Sequence, residues 1–196
     1  SLVIAPTLYM VKPGVAQRLT DFTKNGGTLV VSIYSGMADE NENVTQKGYP
    51  GELRDLCGLW TEEFDSLPAG EYNHFTWNDR QYRSELMFAI SHPESSSTLA
   101  TYESDFYKGM PVLSINQTGK GKTYYFGTRS ETSFYHAFMK QLCIEQEIMH
   151  ETDAELPEGM EISVREKDGK QYIFFLNHKG QEQHAGMENS ISLTKE

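Results

Sequence analysis

The sequence has only two cysteines, Cys57 and Cys143, and they match no metal-binding or redox spacing. We therefore expect both to be reduced core residues of an intracellular, cytoplasmic protein. Basic residues are also scarce, at 17 against 28 acidic ones, and the formal net charge is −11. A charge of this sign repels phosphate backbones and anionic lipids, so neither nucleic acid nor a membrane is an expected partner.

Long hydrophobic runs are missing as well, since no apolar stretch approaches the roughly 20 residues of a membrane span. The N-terminus has no basic segment before its apolar residues, so we expect no signal peptide. The chain instead starts inside an apolar strand, and we expect it to be a fragment. Its 196 residues are enough to bury a substantial core without disulfides.

The segment from Val15 to Ser35 predicts a helix followed at once by a buried strand. Apolar residues recur at helical spacing at Val15, Leu19 and Phe22, and Asn25-Gly26-Gly27 can end the helix. Thr28–Tyr34 is almost entirely apolar and β-branched, as is typical of a strand buried on both faces. With a first strand at Leu2–Ala5, the pattern predicts a right-handed β-α-β unit with parallel strands.

The next hundred residues contain turn signals between further strands. Hairpins are predicted across Asn78-Asp79-Arg80 and across Gly119-Lys120. Thr128 and Glu131 fit a capping box that opens a helix from Ser130 to Met149. Because Lys122–Gly127 is another apolar strand, we predict an α/β fold with a mostly parallel sheet flanked by helices.

The charged stretch 150–159 predicts a domain boundary, which gives domains at 1–150 and 151–196. Beyond it, Met160–Arg165 and Gln171–Leu176 are strands joined through Asp168-Gly169, a strong hairpin signal. A third strand is expected within Gly186–Thr194. The second domain is therefore predicted to be a small, partial antiparallel β-domain.

Motifs for catalysis are weak. Gly119-Lys120-Gly121-Lys122 looks like a phosphate loop but lies between two strands, so a hairpin turn explains it better. Neither Cys57 nor Cys143 lies on the strand-to-helix elbow that a nucleophile needs. The histidines lack metal-ligand spacing. We therefore predict no catalytic residue, no cofactor and no metal ligand.

A polar loop from Gly36 to Gly51 is the main candidate for a functional surface, because loops of this length are usually functional or mobile. Its carboxylates could in principle serve glycoside cleavage, but that chemistry needs two carboxyls fixed on rigid elements. An interface or a solvated loop is the better interpretation. The candidate interface or cleft residues are Tyr34, Ser35, Asp39, Glu40 and Asn41.

Several segments resemble, in order, the non-catalytic part of glycoside hydrolase family 42 β-galactosidases. No single segment is decisive, and together they cover nearly the whole chain. They are Val3–Met10, Phe22–Val30, Tyr34-Ser35-Gly36 with Asp39-Glu40-Asn41, Gly48–Gly51 with Leu53–Gly58, Leu99–Tyr102 with Asp105-Phe106-Tyr107, Gly119–Tyr125 and Tyr172–His178.

The resemblance implies a fold and a role. In that family an N-terminal (β/α)8 barrel carries two catalytic glutamates, an amidotransferase-like (flavodoxin-like) α/β domain mediates trimer formation, and a small β-domain follows. This chain is similar to the second and the start of the third. The implied role is homotrimer assembly in a parent enzyme that acts on galactosides, with loops that shape the neighbouring subunit's cleft. The catalytic glutamates have no counterpart here, and the sheet's first strand is expected to precede Ser1.

Two alternatives belong to other classes of protein. A stand-alone amidotransferase-like protein would need a nucleophile elbow. A carbohydrate-binding module would present Trp60, Trp77 or tyrosines on one flat exposed face.

Overall fold

A computed structural model of the chain describes residues 1–46, 48–148 and 156–184. These residues belong to two compact units, Ser1–Gln146 and Glu147–Glu196. The predicted boundary at residue 150 lies outside the described residues and stays a prediction. The elements of the first unit are, in chain order, β1 (Leu2–Ala5), α1 (Val15–Lys24), β2 (Thr28–Ser32), a 3₁₀ turn (Gly51–Leu53), α2 (Arg54–Cys57), β3 (Leu59–Asp65), β4 (Tyr72–Trp77), β5 (Arg80–Pro93), β6 (Ser97–Thr101), β7 (Pro111–Thr118), β8 (Gly121–Phe126), β9 (Thr128–Ser130) and α3 (Thr132–Glu145).

The larger sheet has the strand order β1-β2-β8-β7-β6. The pairs β1–β2 and β2–β8 are parallel, with Leu2 opposite Thr28 and Thr28 opposite Lys122. The pairs β7–β8 and β6–β7 are antiparallel. The predicted β-α-β unit is therefore present, but the prediction of a mostly parallel sheet was wrong: the sheet is mixed. The reason is that β8 pairs with β2 in parallel on one edge and with β7 in an antiparallel hairpin on the other. That hairpin was itself predicted from its turn.

A second sheet is antiparallel and is built around the long strand β5, which pairs with β3, β4 and β9. The β4–β5 turn is the predicted one. Asn78 and Asp79 have φ values of 49° and 59°, as the two central residues of a type I′ turn require.

The predicted capping box is wrong. Thr128 belongs to β9, and its hydroxyl donates to the carbonyl of Met87 at 2.7 Å. The helix begins at Thr132, and Glu131 at its N-cap makes no side-chain capping bond. The helix also ends at Glu145 rather than at Met149. Long-range pairing with β5 therefore prevails over the local capping signal.

The core consists of two apolar clusters. One is rich in aromatic rings and joins α3 to strands of both sheets; Phe134 of α3 lies 5.1 Å from Phe75 and 4.7 Å from Phe126, centroid to centroid. The other packs around β2 and α2 and contains the predicted core residue Cys57. Edge-to-face and offset ring pairs add to the area that such rings bury. The two clusters thus pack the helices of the first unit against its sheets.

The second unit contains an antiparallel hairpin, β10 (Met160–Lys167) and β11 (Lys170–Asn177). Its turn has Asp168 at φ 53° and Gly169 at φ 71°, which confirms the Asp-Gly hairpin. The predicted strand within Gly186–Thr194 lies outside the described residues.

Candidate functional site

The candidate loop leaves the carboxyl end of β2, where the end of β1 is parallel to it. Two serine hydroxyls hold these ends together. The hydroxyl of Ser32 accepts from the amide of Thr7 at 2.8 Å, and that of Ser35 accepts from the amide of Leu8 at 3.0 Å. Ser35 is buried. Ser35 is one of the predicted site residues, but its side chain supports the loop and is too buried to contact a partner.

Backbone hydrogen bonds tie the loop to the segment after β1. The carbonyl of Leu8 accepts from Gly36 at 2.8 Å, and that of Tyr9 accepts from Met37 at 2.9 Å. In return, the carbonyl of Ala38 accepts from Val11 at 3.0 Å. The first turn of the loop therefore extends the parallel pairing of β1 and β2, and does not swing freely.

Asp39 closes the next turn with its side chain. Its Oδ1 accepts from the backbone amides of Asn41 at 2.8 Å and Asn43 at 2.9 Å, and its Oδ2 accepts from Nδ2 of Asn43 at 3.0 Å. These bonds, with the Asn43 side chain first, lower the pKa of the Asp39 carboxyl because they favour its charged form. Glu42 completes the turn at φ 64°, in the left-handed region.

Glu40 and Asn41 form the exposed tip of this turn. Tyr34 precedes the loop and packs on Phe64 at a centroid distance of 4.7 Å, and Tyr49, near the other end of the loop, packs on the same ring at 5.2 Å. The five predicted residues thus divide into three that support the loop, Tyr34, Ser35 and Asp39, and two that it presents to solvent. Sequence spacing could not separate these groups.

A cleft of about 800 Å³ lies beside the loop, and sequence reasoning missed it. Its apolar side includes Val11, Ala38 and Val44. Its polar side includes Arg54, which pairs with Glu94 through bonds of 2.8 Å and less. The full lining consists of Val11, Gly36, Ala38, Asp39, Asn43, Val44, Thr45, Gln46, Gly51, Glu52, Arg54 and Asp55.

Cys57 is unsuited to nucleophilic chemistry. Cys57 is buried at the end of α2, and its burial raises the pKa of the thiol well above the usual value. Cys143 is half-buried on α3. Within the described residues no three His, Cys, Asp or Glu side chains are grouped so that they could hold a metal ion. Likewise, no helix of the described residues is long and apolar enough to cross a membrane.

The two tryptophans do not share a surface. Trp77 is 6% exposed and contacts Phe134 and Phe138 in the core. Trp60 is half-buried between His92, whose ring stacks on it at 4.7 Å, and the guanidinium of Arg54 at 5.7 Å. The flat aromatic platform expected of a carbohydrate-binding module is therefore not built from these residues.

The fold and the site define a mixed α/β domain with an ordered polar loop at the carboxyl edge of its parallel strands. Residues 1–149 match the family of the beta-galactosidase trimerisation domain. The chain belongs to this family, and the resemblance to family 42 β-galactosidases is confirmed.

Curated relatives include Beta-galactosidase BgaP of Planococcus sp. (strain L4), which is 40% identical over 195 residues. Beta-galactosidase LacA of Lactobacillus acidophilus is 39% identical over 186 residues. The matches cover 96% and 92% of this chain but only 29% and 27% of those relatives, so the chain spans less than a third of their length.

Solved structures give the same result. The β-galactosidase of Bacillus circulans sp. alkalophilus superimposes with a TM-score of 0.86 at 38% identity, over 92% of this chain and 27% of that one. The cold-adapted β-galactosidase of Rahnella sp. R3 superimposes with a TM-score of 0.89 at 34% identity, over 96% and 29%.

Proposed function

We propose that this chain is a non-catalytic part of a cytoplasmic β-galactosidase, and that its work is homotrimer assembly. The observation that carries the proposal is the match of residues 1–149 to the trimerisation domain. The domains are assigned as 1–150, an amidotransferase-like assembly domain, and 151–196, part of a β-domain. The parallel β1-β2-β8 strands with the α1 crossover support the amidotransferase-like assignment.

The loop around Asp39 has the features of a contact surface that is ordered before it binds. Asp39 and Ser35 fix its backbone, so little conformational entropy is lost when a partner meets its tip. In a closed ring of three, each subunit meets its neighbour through two different patches. We place Glu40 and Asn41 in one such patch, where they also wall the neighbouring subunit's galactoside cleft.

The test uses the complete enzyme that contains this chain. Glu40 and Asn41 are both changed to alanine, and mass is measured by light scattering alongside galactoside hydrolysis. Glu63→Ala, an exposed carboxylate on β3, is the matched control. We expect the Glu63→Ala enzyme to be an active trimer. We expect the double variant to form less trimer, to bind galactoside more weakly, or both. A double variant with unchanged mass and unchanged kinetics would remove the loop from both roles.

Assembly itself is tested on the unmodified enzyme. A monomer at all accessible concentrations would overturn the proposed function, whatever the loop does.

A further inference from the structure

Phe64 of β3 connects the two ends of the candidate loop. The ring of Tyr34, directly before the loop, and the ring of Tyr49, near its far end, both pack on Phe64, at centroid distances of 4.7 and 5.2 Å. The two tyrosines belong to opposite ends of the loop, so a single ring on another strand supports both.

The backbone of the loop is closed at the same place. Gly36 and Gly51 have φ values of 64° and 58°. A Cβ on Gly36 would overlap the carbonyl oxygen of Pro50, and a Cβ on Gly51 would lie 2.8 Å from the carbonyl oxygen of Gly36. A loop of this size whose ends touch is an Ω-loop, a class of surface loop that is frequently functional.

A β-bulge turns Phe64 toward the base of this loop. Phe64 is opposite Ala89 of β5, and the register of the two strands shifts between Thr61 and Glu63. Three residues apart on a regular strand, Thr61 and Phe64 would face opposite sides of the sheet, but the extra residue of the bulge puts them on the same side. Ala89 belongs on that side to the core cluster around β2 and α2, against which Tyr34 also packs.

Tyr34 reaches Phe64 through a second irregularity of the backbone. Its φ of 62° lies in the left-handed region, which is uncommon for residues other than glycine. Strain of this kind costs stability and concentrates at functional positions. Regular strands can make an ordinary core contact, so we attribute the bulge and the strained turn to the loop that this contact holds.

β3 also binds the far end of the loop through its backbone. The amide of Thr61 donates to the carbonyl of Tyr49 at 2.7 Å, and the amide of Tyr49 donates to the carbonyl of Thr61 at 3.4 Å. The near end is bound to the segment after β1, where the amide of Gly36 donates to the carbonyl of Leu8. The loop therefore bridges the two sheets, and Phe64 fixes one end against the other.

We propose that Phe64 is a positioning residue for the surface that Glu40 and Asn41 present to the next subunit. It acts through the rings of Tyr34 and Tyr49, and the inference rests on the proposed function of this loop. Without the shared ring, the base of the loop samples more conformations, and more entropy is lost when the loop meets its partner.

The first measurement is hydrogen exchange in the complete enzyme. Phe64→Ala should speed the exchange of the hydrogen-bonded loop amides of Gly36, Met37 and Thr45 by about tenfold. Phe64→Leu keeps an apolar side chain at the site and should speed it by only about threefold. Leu19→Ala is the matched control, because Leu19 of α1 is half-buried against the same core cluster; it should leave these amides unchanged.

The second measurement separates positioning from a general loss of stability. Phe64→Ala should reproduce the loss shown by the Glu40/Asn41 double variant: a half-dissociation concentration of the trimer that rises about tenfold, or a higher galactoside KM at unchanged kcat. Phe64→Leu should show the same loss to a smaller extent, and it carries the comparison if the alanine variant does not fold. Leu19→Ala should show neither loss.

The outcomes distinguish the inference from the proposed function. Loop amides that stay protected in both Phe64 variants, or that exchange equally fast in Leu19→Ala, would overturn the inference while the proposed function stands. A loosened loop without the loss that the double variant shows would overturn it as well. If neither the Phe64 variants nor the double variant changes mass or kinetics, the proposed role of the loop is wrong and the inference falls with it.

Discussion

The side chain of Asn116 lies against Gly58 so closely that a Cβ on Gly58 would be 2.5 Å from Asn116 Cγ. Nδ2 of Asn116 donates to the carbonyls of Asp55 and Leu56, each at 3.1 Å. The last carbonyls of a helix have no hydrogen-bond donor within the helix. Asn116, from the middle of β7, therefore caps the carboxyl end of α2.

Asn116→Ala removes both bonds and leaves two carbonyls at the end of α2 without this donor. We expect the free energy of unfolding to fall by about 1–3 kcal/mol. Urea denaturation measures it, and Gln117→Ala, the exposed neighbour on β7, is the matched control. Equal stability of the two variants would contradict this role.

Gly58→Ala is expected to destabilise for two reasons. Gly58 has φ 66°, which costs an alanine roughly 1–2 kcal/mol, and its new methyl group would overlap the Asn116 amide. The double variant with Asn116→Ala should be more stable than the sum of the single losses indicates, because the overlap with Asn116 disappears and only the contact with Ser95 Oγ, at 2.7 Å, is left. If the losses of unfolding free energy in the two single variants add up to the loss in the double variant, Asn116 and residue 58 do not interact in solution, and the prediction is wrong.

The turn at Asp39 should depend on pH. Its folded pKa is lowered, so its bonds are fully present above the unfolded pKa of about 3.9 and are lost as pH falls through the folded value. The amide resonances of Asn41 and Asn43 should shift together in an NMR titration below pH 4, and Asp39→Asn should abolish this shared transition. Resonances that do not move down to acid unfolding would contradict the assignment.

Cys57 should resist alkylation at neutral pH, because burial raises the pKa of its thiol and leaves little thiolate. Mass spectrometry after iodoacetamide treatment should find it unlabelled in the folded protein and labelled after denaturation. Half-buried Cys143 serves as the internal reference. Rapid labelling of Cys57 without unfolding would refute the prediction.

The sequence was most informative where local rules decide the structure. Asn78-Asp79 and Asp168-Gly169 form the predicted turns because positive φ values limit which residues fit. α1 ends at Lys24, directly before the predicted Asn25-Gly26-Gly27 stop.

Long-range pairing decided the rest. Thr128 fits the capping pattern, but it belongs to a strand that pairs with β5, where its partner Phe88 lies 40 residues earlier in the chain. The candidate loop was recognised from its length, whereas the supporting role of Ser35 depends on a partner at Leu8 that no spacing rule connects to it.

The pairing of β2 has a consequence for synthesis on the ribosome. Four of the five residues of β2 are buried, and its second edge is covered by β8, which is made about 90 residues later. At 5–20 residues per second, that edge waits roughly 5–20 s for its partner. During this interval a buried strand of the finished protein is an open template for pairing with other chains, so slower translation between Ser32 and Gly121 should increase the need for chaperones.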